Sequence, residues 1–298
     1  MMRTKLMFMT AGLAAAALTL TGCAGDSGAG TDSGSGDAAT YEVASDVTLE
    51  GSPTFDAMTD ADKVTIGVKE DQPGLGYLDA ATNERSGFDI EIAKWIAASL
   101  GFSEDKIEFQ AIPSANREAS IVNGDIDYYV GTYSITDKRK EQVGFAGPYF
   151  ETGQQLLVAA DNDTIEGPDD LTADTTVCSA TGSTPIQNIR TNYPEVPTEE
   201  FDTYSQCVDA LNDGQVDAVT TDGAILIGYA AQSPDELKVV GEPFSTELYG
   251  VGLAKDDDAL RGFVNDMFTE GGDTWTAIYD ETLGKSGTEV EQPAVDAY

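Results

Sequence analysis

The chain contains no histidine and little positive charge: 16 Lys and Arg stand against 53 Asp and Glu in 298 residues, a formal charge of −37. Without histidine, a Ser-His-Asp triad, a Cys-His pair or a His-based zinc site cannot be assembled, which removes most common hydrolases. The acidity argues against nucleic acid or an anionic membrane surface as the partner. Cysteine is scarce as well, at three residues, and the longest apolar stretch, 6–20, is too short for a comfortable membrane span. What is present, 41% hydrophobic and 8% aromatic residues, suffices for one large core or two modest ones and excludes global disorder. No metal or cofactor is expected.

The first segment reads as processing information. Arg3 and Lys5 precede the apolar run 6–20, the pattern of an export signal. It ends in Leu20-Thr21-Gly22-Cys23, which resembles a bacterial lipobox. That resemblance implies removal of 1–22 as a lipoprotein signal peptide and diacylglycerol on the Cys23 thiol, so that lipid rather than charge holds the chain at the extracellular face of the membrane. Residues 23–45 are expected to form a flexible tether, because 24–37 lack any large apolar side chain to offset the cost of ordering the backbone.

Regular structure is expected to start at 63–68, a β-branched strand that runs into the Gly- and Pro-containing loop 69–78. Residues 87–101 place apolar groups at helical spacing, with Asp89 near the start and Gly101 at the stop. A strand over 106–111, a helix over 117–123 ended by Gly124 and a strand over 126–131 complete a β-α-β-α-β unit. A second unit follows: strand 176–178, helices 184–192 and 207–213, strand 216–221. Val122-Asn123-Gly124-Asp125-Ile126-Asp127 and Leu211-Asn212-Asp213-Gly214-Gln215-Val216-Asp217 read as equivalent pieces of two similar lobes. Residues 250–254 are strand-like, and 258–268 and 274–283 helical.

Several stretches together resemble the bacterial extracellular solute-binding proteins of family 3, the receptors of ABC importers for polar amino acids. The most specific are Ser134-Ile135-Thr136-Asp137-Lys138-Arg139, Val143-Gly144-Phe145-Ala146-Gly147-Pro148-Tyr149 and Gln154-Gln155-Leu156-Leu157-Val158. Gly87-Phe88-Asp89-Ile90, Gly182-Ser183-Thr184 and Val216-Asp217-Ala218-Val219-Thr220-Thr221-Asp222 support them. Lys69-Glu70-Asp71-Gln72-Pro73-Gly74 and Asn116-Arg117 are similar to the glutamate-binding lipoproteins. The resemblance implies an α/β fold, a type II periplasmic-binding-protein-like clamshell with two hinge crossings, near 150–153 and 243–248. Lobe 1 then comprises 46–152 and 245–298, and lobe 2 comprises 153–244. It further implies a monomeric, non-enzymatic receptor that passes its ligand to an importer permease.

The cleft can also be reasoned from its ligand. A free amino acid carries a carboxylate and an ammonium on one carbon, so a dry site must supply a cation with donors and, opposite, an anion. Arg139 suits the carboxylate, and Thr132 and Ser134 can add hydroxyl or amide donors; the resemblance gives all three this role. Asp222, closing an apolar strand, suits the ammonium. The helix start at Gly182-Ser183-Thr184, with the Thr184 hydroxyl, can reach the carboxylate from lobe 2 while also serving as an N-cap. Lys69 and Arg117 are candidates for a second carboxylate, which favours glutamate, with aspartate or glutamine as alternatives. Tyr204 offers a phenolic hydroxyl or plain packing.

With Cys23 set aside, Cys178 and Cys207 form an even pair in an exported chain, and a disulfide between them is expected. Other readings are carried alongside. The same fold hosts dehydratases and lytic transglycosylases, whose general acid the many carboxylates here permit without suggesting, and a ligand-sensing receptor uses the same pocket. Gly250-Val251-Gly252-Leu253 is no dinucleotide fingerprint. Asp256-Asp257-Asp258 lacks the glycine and terminal Glu of a calcium loop and reads as a helix N-terminus.

Overall fold

The structure, a computed structural model, describes residues 41–286 and 290–298. The expected signal peptide, Cys23 and the tether as far as residue 40 lie outside the described residues. The chain runs α1 (Pro53–Ala61), β1 (Val64–Val68), a ribbon of β2 (Tyr77–Leu78) and β3 (Arg85–Ser86), α2 (Phe88–Ser99), β4 (Ile107–Ala111), α3 (Arg117–Asn123) and β5 (Tyr128–Tyr129). A helical turn α4 (Asp137–Lys140) leads into β6 (Gly144–Thr152) and β7 (Gln154–Ala159). Then follow β8 (Val177–Ala180), α5 (Thr184–Asn192), β9 (Thr198–Phe201), α6 (Tyr204–Asn212), β10 (Ala218–Asp222), α7 (Gly223–Gln232), β11 (Leu237–Val240), β12 (Glu247–Leu253), α8 (Asp258–Glu270) and α9 (Gly272–Glu281).

Two five-stranded sheets result, ordered β4-β1-β5-β12-β6 and β11-β7-β10-β8-β9. In the first, β4, β1 and β5 are parallel, and β12 pairs antiparallel with both β5 and β6. In the second, β10, β8 and β9 are parallel, and β7 is antiparallel to β10 and β11. Each sheet carries helices, as the alternation of strand and helix patterns requires. The chain passes between the sheets at Gly153 and again over 241–246, and the two passages are bonded together: Gln154 N donates to Ser245 Oγ at 3.1 Å and Phe244 N to Gln154 O at 2.9 Å.

The proposed equivalence of the two Gly-containing turns has a physical counterpart. Asp127 Oδ2 accepts from Thr65 N at 2.7 Å, and Asp217 Oδ2 accepts from Thr176 N at 2.7 Å. In each lobe the aspartate just past the turn thus binds the entrance of the neighbouring parallel strand. Asp257 plays a comparable part between helices, accepting from Leu260 N at the start of α8 and from Ser52 Oγ and Thr54 N at the start of α1. The acid run 256–258 is therefore a helix start, as its composition indicated.

Some elements differ from expectation. The third strand shrinks from 126–131 to Tyr128–Tyr129, because the residues after it turn away to build the cleft wall. Helix α6 begins three residues earlier than expected, where Thr203 and Gln206 form a reciprocal capping box. Helix α7 was not anticipated; its run GAILIGYAAQ is apolar almost throughout and lacks a polar stripe. Residues 41–45, expected as tether, lie against α2: Tyr41 OH donates to Glu91 at 2.9 Å and Ala44 N to Ala98 O at 2.9 Å.

Near the hinge an aromatic core fills the first lobe. Phe88 packs edge-on against Trp275 and Tyr279, whose rings stack on each other, and Tyr149 and Phe150 join them. Burying side chains of this size contributes roughly 1.5–3 kcal/mol each, which makes this cluster a principal source of the first lobe's stability. In the second lobe the Cys178–Cys207 disulfide is formed and ties β8 to α6 across 29 residues. On the chain-entropy account, the double substitution Cys178→Ala, Cys207→Ala should lower stability by roughly 3–4 kcal/mol. Urea unfolding of the two proteins measures it, and a difference under about 1 kcal/mol counts against that account.

Candidate functional site

Seven of the eight candidate binding residues of the sequence lie at strand ends or in the segments that follow them, facing one cleft. Lys69 follows β1, Arg117 follows β4, and Thr132 and Ser134 follow β5. From the second sheet, Thr184 follows β8, Tyr204 follows β9, and Asp222 ends β10. These are the C-terminal ends of parallel strands, where helix N-termini and short loops leave polar groups unspent in α/β sheets. Arg139 enters from α4, whose N-cap Thr136 accepts from the Arg139 backbone amide at 3.2 Å.

The cations are buried. Lys69 Nζ donates to Ser114 Oγ at 2.8 Å; Arg117 donates through Nε to Ser114 O and through Nη1 to Thr132 O. Arg139 forms an ion pair with Glu118 at 3.1 Å and donates to Ser134 O at 2.7 Å. Both guanidiniums lie over the Tyr133 ring, at 4.4 and 4.9 Å from its centroid, so an aromatic face helps to hold two like charges in one wall. Mutual repulsion remains. Burial and then the neighbouring Arg117 pull Lys69 down to about 7 and lower Arg139 as well.

Opposite them is Asp222, 2% exposed. Its Oδ2 accepts from Tyr249 OH at 2.6 Å, whereas Oδ1 is buried without a hydrogen-bond partner among the described residues. Burial and then Glu247 push its carboxyl up to about 7. Arg117 and Arg139 act on Asp222 electrostatically, so the two signs of charge face one space. Tyr204 is buried near Asp222, and burial followed by that carboxylate raises its phenol to about 12.

Contacts between the lobes close the cleft. Arg139 Nη2 donates to Gly182 O at 3.2 Å, and the Ser134 and Thr184 hydroxyls are 3.1 Å apart, with Thr184 also donating to Glu247 at 3.0 Å. Ser183 is the N-cap of α5, accepting from Ile186 N, so the helix start carries the ordinary cap that the sequence left open. Gly182 permits the approach: a Cβ there would lie 2.8 Å from Ala115 Cα of the facing lobe.

Thr132 departs from its expected donor role. Its amide donates to Asp89 Oδ2 at 3.0 Å and its hydroxyl to Gln72 Oε1 at 3.1 Å, so both donors are already engaged. Its backbone is left-handed, φ +47°, a region that a β-branched residue enters at a cost of order 1–3 kcal/mol. Asp89, Gln72 and Arg117 hold it there. The sequence marks Asp89 as a helix-start acid and as part of Gly87-Phe88-Asp89-Ile90, with no place in the cleft wall. Fully buried and raised to about 6 by that burial, it accepts from Thr132 N and from Tyr149 OH, a role no sequence spacing announces. Gln72, Glu118, Glu247 and Tyr249 were likewise passed over, because each reaches the cleft through a contact distant in sequence.

The raised carboxyl of Asp222 carries a stability cost with a definite pH signature. The unfolded chain loses this proton near 3.8 and the folded chain near 7, so folding is increasingly disfavoured as pH climbs between those values. Lys69 acts oppositely: folded, it releases its proton near 7 rather than 10.5, and stability returns as pH rises between them. Asp222→Asn should therefore stabilise the ligand-free protein relative to the parent by roughly 2–4 kcal/mol more at pH 7 than at pH 4. Urea unfolding at both pH values reads this, and a pH-independent difference contradicts it.

Comparison with known proteins places this geometry among binding proteins. Residues 64–285 match the profile of the bacterial extracellular solute-binding proteins, family 3. The glutamate-binding protein GluB of Corynebacterium efficiens is 39% identical over 98% of this chain and 95% of its own length. The glutamine-binding protein of Geobacillus stearothermophilus is 42% identical over 70% of this chain and 79% of its own. Among solved structures, an ancestral arginine-binding protein bound to glutamine superposes with a TM-score of 0.70 at 34% identity, covering 74% of this chain and 98% of that one.

Proposed function

This chain belongs to the bacterial extracellular solute-binding proteins of family 3, and on that premise we propose that it captures glutamate between its lobes and delivers it to an ABC importer permease. One observation carries the reading: Lys69, Arg117 and Arg139 are buried in a wall that faces a buried Asp222. Glutamate has two carboxylates and one ammonium, the complement of such a set. In this reading Arg139 and the α5 start take the α-carboxylate, Asp222 takes the ammonium through its unpartnered Oδ1, and Lys69 and Arg117 take the side-chain carboxylate. Glutamine leaves the last two cations without an anion in a low-dielectric site, the costlier state. The named relatives above are solute-binding proteins, which supports binding without catalysis.

Isothermal titration tests the assignment. Arg139→Ala should abolish measurable binding of any amino acid, whereas Arg117→Ala should mainly reduce the preference for glutamate over glutamine, by roughly tenfold or more. The reverse pattern refutes these roles.

The reading includes anchorage at the extracellular face through a lipid on Cys23, for which Leu20-Thr21-Gly22-Cys23 is the support. In bacterial cells, Cys23→Ala should abolish incorporation of labelled fatty acid and shift the protein from the membrane fraction to the medium. Retention of label in that variant rules the anchor out.

A further inference from the structure

Two residues beyond Lys69, the chain makes a cross-cleft contact that the binding assignments leave unused. Asp71 Oδ2 accepts from the backbone amides of Tyr204 at 2.9 Å and Ser205 at 3.2 Å, in the first turn of α6. Tyr229 of α7 donates its hydroxyl to the Asp71 carbonyl at 2.5 Å and to Oδ2 at 3.2 Å. One side chain from the first sheet's loop therefore meets two helices of the second. A carboxylate at a helix N-terminus satisfies amides that have no partner within the helix and lies at the positive end of its dipole. Burial and Asp71 both raise the Tyr229 phenol, which keeps it a donor.

The loop that carries Asp71 is stiff. Asp71 bridges to Tyr77, Gln72 N donates to Gly76 O at 3.0 Å, and Leu78 N donates to Glu70 O at 2.9 Å. Gly228, beside Tyr229, packs so closely that a Cβ there would lie 2.2 Å from Pro73 O. Lys69 and Asp71 thus move as one piece that fits between α6 and α7.

We propose that Asp71 is the closing latch of the clamshell: a positioning residue that docks α6 and α7 on the Lys69 loop and sets how long an enclosed ligand stays, without touching it. Seating Lys69 against a bound anion and docking Asp71 on α6 are then one movement. The inference rests on the reading that ligand is held between the lobes.

Stopped-flow measurement with glutamate tests it on the parent, Asp71→Ala, Asp71→Asn and Tyr229→Phe. Release should quicken roughly tenfold or more in Asp71→Ala, and less in Asp71→Asn, which keeps an acceptor, while association stays within about twofold. The glutamate-to-glutamine affinity ratio should not move, although Lys69→Met moves it. Tyr229→Phe, which removes one hydroxyl from the other side of the contact, should quicken release and add little to Asp71→Ala. An unchanged release rate, or a ratio that shifts with Asp71, overturns the latch. If neither amino acid binds, the glutamate assignment fails on its own. X-ray scattering of the ligand-free protein then decides the latch: a larger radius of gyration for Asp71→Ala than for the parent supports it, and equal radii overturn it.

Discussion

Charges of both signs buried in one cleft are the constraint on which the rest of this molecule depends. A buried ion without partners costs several kcal/mol, so each one here dictates what surrounds it. Arg117 and Arg139 are held by carbonyls of the chain just past β5, by Glu118 and by the Tyr133 ring. Asp222 is only half satisfied, by Tyr249 on β12. In the proposed reading, the ammonium of a zwitterion completes it.

A protein with 53 acidic residues can still carry a cationic wall, because distance and solvent separate the two. Surface carboxylates act through water and salt over a screening length of about 8 Å, whereas the cleft cations act at contact. Position decides over total charge. The same principle governs the strained Thr132, whose left-handed backbone is paid for by Asp89 and the aromatic core under it. The two passages between the sheets, at 153 and over 241–246, are bonded to each other beside this preset wall.

Much of this was legible along the chain. Strand-helix alternation gave two α/β lobes, and Gly124, with φ +72°, ends α3 where a glycine stop was read. The cleft residues were legible by type and place, a guanidinium within a recognisable motif and an acid closing an apolar strand. Elements set by tertiary contact escaped. β5 keeps two paired residues because the chain beyond it turns away into the cleft wall, and α7, apolar almost throughout, has no polar stripe to mark it although Ile227 is exposed. Asp71, Gln72 and Asp89 stand in stretches that carry the family resemblance, but their partners, distant in sequence, gave them no legible role.

Local chemistry, then, decided where the chain turns, caps and alternates, since those depend on residues a few positions apart. It also decided the stock of charges available to a ligand. Which of those charges meet was decided only by folding: Asp222 finds Tyr249 across 27 residues, Thr132 finds Asp89 across 43, and Asp71 finds Tyr204 across 133. Burial is a property of the assembled lobes rather than of any segment, so the shifted protons of Lys69 and Asp222 came into being with the closed cleft.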